Sequence, residues 1–267
     1  GITRPLSVLH ASVGRVVSPR RVDGKLDEPE WGRMAELSGL VVIEPDTLEQ
    51  PLLETQYKIL YTDGGLYVGF WNEQDPKTFI ARLGPRDDFM TRDEVSFTLD
   101  PTGQGLYGYW FGVAMSGSLM DGTVLPERQF SRDWDGAWYS GTQLTKTGWS
   151  AEFFLPWSQV AMPQNAGQRT IKVYLSRKVA HLDEDWSLPA LPRTQPLFMS
   201  RMQPLMLDGV APVQNWSVFP YLSSTNDFVR GDVSNKIGAD LFWRPSTNFQ
   251  ATAAFKPDFG SVESDDV

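Results

Sequence analysis

Short runs in which apolar and polar side chains alternate one by one recur along this chain, punctuated by glycine, proline and aspartate. This is the feature that most constrains the fold, because a period of two places successive side chains on opposite faces of a strand. Tyr57, Ile59 and Tyr61 alternate with Lys58, Leu60 and Thr62. Asp63-Gly64-Gly65 supplies a turn, and Leu66, Val68 and Phe70 resume the alternation, which predicts a β-hairpin. Val95, Phe97 and Leu99 predict a further strand, closed by Asp100-Pro101-Thr102-Gly103. From Tyr107 to Met115 the larger residues Tyr107, Tyr109, Phe111, Val113 and Met115 share one face. Gly108, Gly112 and Ala114 keep most of the other face small, with Trp110 beside them, so a close neighbour is expected there. Strands are also predicted at 149–155, 171–177 and 216–222, with one helical turn at Pro156-Trp157-Ser158-Gln159-Val160. No long amphipathic helix intervenes, so an antiparallel sandwich is expected in place of alternating βαβ units.

The composition agrees. Ten Trp, eight Tyr and fifteen Phe, with 23 Gly and 19 Pro, suit many short strands joined by turns. At 267 residues the chain accommodates one large β domain and a short extension. The 24 Lys and Arg against 33 Asp and Glu give a net charge of −9, which argues against a nucleic-acid partner. The absence of cysteine excludes disulfides, thiolate metal sites and a Cys nucleophile. Two histidines, His10 and His181, leave little for a His-rich metal site. No apolar run approaches the ~20 residues of a membrane-spanning helix.

The ends differ from the middle. Residues 1–21 show no periodicity and are expected to form an arm that runs along the surface or adds an edge strand. In Val22-Asp23-Gly24-Lys25-Leu26-Asp27-Glu28-Pro29-Glu30-Trp31, Asp27 stands at an N-cap and Pro29 in the first turn of a short helix. Trp31, Met34 and Ala35 then share a face that pins the helix to a sheet. After Leu222, Ser223-Ser224-Thr225-Asn226-Asp227 is expected to be a polar linker. Ile237, Ala239, Leu241 and Trp243, and then Phe249, Ala251, Ala253 and Phe255, place apolar residues on alternate positions around the turn Pro245-Ser246-Thr247-Asn248. Such a hairpin has the pattern of outer-membrane barrel strands. The expected division is an arm at 1–21, a sandwich at 22–222, and a linker with the first strands of a barrel at 223–267.

Four pieces in order resemble family 9 carbohydrate-binding modules: Asp23-Gly24-x-Leu26-Asp27-Glu28-x-x-Trp31, Tyr61-x-Asp63-x-x-Leu66-Tyr67-Val68, Asp93-Glu94-Val95-Ser96-Phe97-x-Leu99-Asp100, and Gly148-Trp149-Ser150-Ala151-Glu152-x-x-Leu155-Pro156-Trp157. The closing Phe255-Lys256-Pro257-Asp258-Phe259-Gly260-Ser261-Val262-Glu263-Ser264-Asp265 resembles a stretch of bacterial proteins that carry such a module ahead of an outer-membrane β-barrel. The resemblance implies an all-β, jelly-roll-like antiparallel sandwich that heads a barrel, in the outer membrane or cell envelope, with the sequence stopping as the barrel begins. It implies a polysaccharide or oligosaccharide ligand, the chain's own barrel as partner, and no catalysis. It also implies two aromatic platforms, with Phe89 or Met90 near one and Trp186 in the region of the other. Ser96 falls where the family carries a strand carboxylate, Gly112 near an arginine, and Tyr174 and Ser176 near an amide pair, so most of the family's polar contacts are replaced.

Among the residues themselves, Trp134, Trp138, Trp186 and Trp71 in or beside loops are candidate sugar platforms, because an indole face stacks on the C–H face of a sugar ring. Trp31, Trp149 and Trp157 lie within the structural motifs and are expected in the core. Ser131-x-Asp133-x-Asp135-Gly136 matches the start of a calcium loop, so Asp133 and Asp135 are candidate ligands for a structural Ca2+. Its twelfth position is Thr142, however, where a glutamate belongs. Asp87-Asp88, Asp93-Glu94 and Asp183-Glu184-Asp185 are either carboxylate donors, or solvated charges and salt-bridge partners of Arg86, Arg92 or Arg177. Asp93 and Glu94, adjacent on a strand, point to opposite faces and cannot act as a hydrolytic pair. Two alternatives stand beside sugar binding: a structural or docking domain of the barrel that has lost its sugar contacts, and a b-type haem sandwich using Met90, Met115, Met120 or His181.

Overall fold

A computed structural model describes residues 14–15, 22–27, 29–32, 39–80, 92–163, 167–210, 216–227, 232–246 and 249–255. In chain order they form β1 (Gly14–Arg15), a one-turn helix α1 (Pro29–Gly32), β2 (Val41–Glu44), β3 (Thr55–Tyr61), β4 (Gly65–Glu73), β5 (Glu94–Asp100) and β6 (Gly108–Ala114). Then follow β7 (Leu119–Leu125), β8 (Gln129–Ser131), β9 (Tyr139–Leu144), β10 (Gly148–Pro156), β11 (Arg169–Val179), β12 (Glu184–Leu188) and β13 (Gln203–Leu207). The last are β14 (Trp216–Asp227), β15 (Asp232–Ser246) and β16 (Phe249–Phe255).

The strands make two facing sheets. One has the order β1-β3-β4-β10-β9, the other β2-β12-β11-β5-β6-β7-β8 with β13 paired to the first half of β11. All pairings within them are antiparallel except β1 with β3. The predicted alternation determines what lies between the sheets. Tyr57, Ile59, Val68, Phe70, Phe153 and Leu155 from the first meet Val95, Phe97, Phe111, Val113, Val173 and Leu175 from the second in one continuous core. Phe97 stacks on Phe111 at 4.9 Å and meets Phe153 edge-on at 5.1 Å across the two layers. The fold is the antiparallel β-sandwich expected from the alternation.

Local chemistry shapes the turns where the sequence placed them. At the β3–β4 hairpin, Thr62 Oγ1 accepts from the amides of Gly64 and Gly65. After β5, Asp100 accepts from the amides of Thr102, Gly103 and Gly105 and closes the loop upon itself.

Each sheet also carries a cover on its outer face. Over the five-stranded sheet lies the segment with α1, where Val22, Leu26 and Trp31 pack on Leu60, Tyr67, Tyr139 and Phe154. Asp23 is buried and folds its own turn by accepting from the amide of Lys25. Gly24 sits at φ +79°, and a side chain there would run into the backbone of Gly141 and Thr142, so only glycine allows this approach. Trp31, Trp149 and Trp157 are all buried. The helix begins at Pro29 as expected; Met34 and Ala35 lie outside the described residues.

Two expectations about the chain's course change. The stretch 223–227 is not a linker but the second half of β14, which runs unbroken across the expected boundary at 222. β14, β15 and β16 form a separate antiparallel sheet, with β14 running beside β9 at the sandwich edge. The turn expected at 245–248 is correspondingly shorter, since β15 continues to Ser246.

Candidate functional site

Because Val95, Phe97 and Leu99 face the core, Glu94, Ser96 and Thr98 project from the outer face of the eight-stranded sheet. The same logic sends Tyr174, Ser176 and Lys178 outward from β11, and Trp110, Gly112 and Ala114 outward from β6. Strand register then aligns these residues into rows. One row runs Ser187, Ser176, Ser96, Gly112 and Met120 across five strands. The next runs Asp185, Lys178, Glu94 and Ala114.

The rows are polar where they cross β12, β11 and β5, and small or apolar beyond. The Ser96 and Ser176 hydroxyls hydrogen-bond each other. Lys178 Nζ lies 3.6 Å from Asp185 Oδ1, and Arg92 Nε lies 3.8 Å from Glu94 Oε2. Ser96, Ser176, Lys178, Glu94, Asp185 and Tyr174 are half-buried, so they remain within reach of a ligand. Burial pushes the Glu94 carboxyl up to about 7, with Lys178 and Arg92 opposing and Asp185 and Asp93 adding to the rise. Gly112 leaves room for Met120, whose terminal methyl would lie 3.0 Å from an added Cβ. This is the close neighbour that the small face of β6 called for.

A wall closes the other end of this face. Phe198 meets Tyr174 edge-on at 4.8 Å, and Leu191, Met199 and Met202 pack with it against Val124. Burial pushes the Tyr174 hydroxyl up to about 12, with a hydrogen bond to Ser187 pulling the other way. Arg128 holds the wall by donating from Nε to Gln195 O at 2.6 Å and from Nη2 to Pro192 O at 2.7 Å, with its guanidinium over the Phe198 ring. Glu127 Oε2 accepts from the amides of Phe198 at 2.6 Å and Ser200 at 3.2 Å.

The structure therefore gathers Ser96, Gly112, Tyr174 and Ser176, the four positions where the resemblance put the family's polar contacts, on one face. It does not bring the tryptophans there. Trp186 pairs with Arg177 on the inward parity of β12, is 0% exposed, donates to Glu184 and lies under the Arg177 guanidinium at 5.1 Å. Trp186 is thus a core residue and not a platform, because its strand register turns it away from Ser176. Trp138 is corrected in the same way: it is buried, stacks on Phe153 and donates to Asp121 Oδ2 at 2.7 Å. Trp134 is half-buried and closes the core rim against Tyr109 and Phe111. Trp71 belongs to β4, on the other sheet, and meets Trp31 edge-on. Phe89 and Met90 lie outside the described residues.

Asp133 and Asp135 are exposed in the loop between β8 and β9. Asp133 is engaged with Ser131, which donates to it at 3.0 Å. Among the described residues no three carboxylate or histidine groups converge as metal ligands, and Thr142 is drawn into β9, where it donates to Met115 O. The calcium-loop spacing does not produce a calcium-loop shape here. Met115 is core, Met120 covers Gly112, and His181 is exposed. Asp93 faces away from Glu94, as its parity requires, and accepts from the amides of Ile80 and Ala180.

Sequence reasoning named Glu94 and Asp185 among its carboxylate candidates but missed Lys178 and the row that joins the three. Its one usable clue was that Lys178 shares the parity of Tyr174 and Ser176 on a single strand.

No protein-family model and no curated protein matches the chain. Solved structures do. The chain is similar to a family 9 carbohydrate-binding module from Caldicellulosiruptor kristjanssonii in complex with cellotriose, at 14% identity and TM-score 0.50, over 73% of this chain and 92% of that one. The same kind of module from that organism in complex with glucose gives 14% identity and TM-score 0.53, over 75% and 99% of the two chains. A candidate carbohydrate-binding protein from Bacteroides uniformis gives 16% identity and TM-score 0.55, over 73% and 96%. At these identities the likeness is one of fold: the sandwich is similar to that of family 9 carbohydrate-binding modules.

Proposed function

We propose that this chain is a non-catalytic carbohydrate-binding domain and that its saccharide docks on the outer face of the eight-stranded sheet. The observation that carries this reading is the pair of polar rows, Ser176-Ser96 and Asp185-Lys178-Glu94, half-buried on one face of a fold similar to modules solved with cellotriose and glucose. Hydroxyls and ionisable groups fixed on rigid strands suit sugar hydroxyls, which both donate and accept. Tyr174, held edge-on by the buried Phe198, supplies an aromatic boundary at one end of the face for the apolar side of a ring.

Calorimetric titration with glucose, cellotriose and a panel of other neutral oligosaccharides tests the reading. Binding to at least one is expected, and Ser96→Ala combined with Ser176→Ala is expected to weaken it about thirtyfold, since two lost hydrogen bonds at about 1 kcal/mol each come to about 2 kcal/mol. Undiminished binding in the folded double variant rejects this face as the site. A folded wild-type protein that binds none of the saccharides favours the structural or docking role.

A second reading concerns the last three strands. β14 and β15 span 12 and 15 residues, and β15 and β16 carry exposed Ile237, Leu241 and Phe255. The register pairs Leu222 with Ile237, Ala239 with Phe255, and Leu241 with both Val218 and Ala253, so apolar positions fall together across the sheet. This is the alternation of a strand with one face in lipid. We therefore propose that the sheet belongs to an outer-membrane barrel, with the sandwich as its head in the cell envelope.

A further inference from the structure

We infer that the row Asp185, Lys178 and Glu94 makes the proposed saccharide face a charge filter, which disfavours carboxylate-bearing sugars and relaxes as Glu94 loses its charge. This rests on the sugar-binding reading above and specifies which saccharides that face accepts.

Lys178 sits between two carboxylates. Its partner across β12 is Asp185, at 3.6 Å, and its partner across β5 is Glu94. The further charges around Glu94 are Arg92, fully buried at 3.8 Å, and Asp93, which points inward to the amides of Ile80 and Ala180. Asp93 is offset by Arg177, with which it interacts on the inner side. On the outer side Glu44 of β2 pairs with Asp185 and extends the row, so Glu44, Asp185 and Glu94 stand against Lys178 and Arg92, one net negative charge when Glu94 is ionised. Glu94 Oε2 is sealed from solvent and makes no hydrogen bond among the described residues, so only the two flanking cations balance its charge. Its side chain is 19% exposed, which leaves the carboxyl open to titration from the surface. Because burial holds this carboxyl near neutrality, the net charge of the row falls to zero within the range where most glycans are stable. A neutral sugar is indifferent to this change. A uronate brought to the face meets a repulsion that strengthens as the pH rises and Glu94 ionises.

The test compares a neutral oligosaccharide that binds with its counterpart carrying one uronic acid, each titrated calorimetrically from pH 5.5 to 8.5 at low salt. The expected result is a preference for the neutral sugar that grows about tenfold across this range, as one charge at roughly 10 Å through an intermediate dielectric implies. Glu94→Gln, whose fold is checked by thermal unfolding, is expected to flatten that growth. Asp185→Asn is expected to lower the preference throughout and to move the onset of its growth to lower pH, because Asp185 helps raise the Glu94 carboxyl. A preference that stays constant with pH in the wild type, or a slope that persists in Glu94→Gln, overturns the inference and leaves sugar binding standing. If neither sugar binds, the sugar-binding reading fails and the filter with it.

Discussion

Arg177 shows how far one residue's parity reaches. It lies on the inward side of β11, where the core pattern of Ile171, Val173 and Leu175 predicts an apolar residue, and it is almost wholly buried. Its guanidinium donates from Nη1 to Thr55 Oγ1 at 2.9 Å and Glu54 O at 3.2 Å, and from Nη2 to Glu73 O at 2.8 Å and Gln74 Oε1 at 3.1 Å. The ends of β3 and β4 are thereby tied to the opposite sheet. Burial pulls its pKa down to about 10, with Asp93 and Glu73 acting the other way, so the cation remains charged at neutral pH. Arg177→Met strands these acceptors and is expected to cost about 3 kcal/mol in urea unfolding. Arg177→Lys is expected to restore only part of that, because an ammonium cannot span four acceptors in a plane. The sequence suggested an ion pair for this residue. Its network of neutral acceptors depends on a cross-sheet meeting that no local pattern announces, and that same network is why Trp186 is sealed beneath it.

Among the elements, the wall formed by 188–202 has the least support in sequence. Leu191, Phe198, Met199 and Met202 lie in a stretch broken by Pro189, Pro192 and Pro196, so no continuous helix or strand pattern marks them as packed. Their order comes from β7 and the turn behind it, through Arg128 and Glu127. Desolvation of Glu127 raises its pKa, but hydrogen bonds from the amides of Phe198 and Ser200 and from the Ser200 hydroxyl together outweigh it and leave the carboxyl below its usual range. A carboxyl whose folded pKa is depressed contributes stability above its unfolded pKa and loses it as the pH falls through the folded value. The turn at Phe198 is therefore expected to loosen below about pH 4, the ordinary carboxylate range. Hydrogen exchange at the Phe198 and Ser200 amides, made faster by Glu127→Gln at neutral pH and converging with wild type in acid, checks this. By contrast, the β3–β4 hairpin, β5 with its Asp100 turn, and β10 were legible in advance, since their alternation and turn residues are local.

At the scale of the molecule, the sandwich satisfies itself on both outer faces while the three-stranded sheet does not. Ile237 is 54% exposed and Phe255 69%, and the two lie on neighbouring strands of the face that the register makes apolar. If the sheet belongs in a barrel, this face requires lipid, detergent or another apolar surface. The wild-type chain is expected to sediment as an associated species in buffer and as a discrete one in detergent. Ile237→Ser with Phe255→Ser is expected to shift the buffer sample toward monomer in analytical ultracentrifugation. A wild-type chain that is monomeric without detergent speaks against the barrel. Alternation and turn chemistry act within a few residues, so β3 to β6, β10, β11, β14 to β16 and the sandwich class were legible in sequence, whereas β2, β7 to β9, β12 and β13 were not. Only the tertiary structure decided which faces meet. Register between strands distant in sequence put Ser96 beside Ser176 and Glu94 beside Lys178, and buried Trp138 and Trp186, since contacts between distant strands leave no periodic trace in any single one of them.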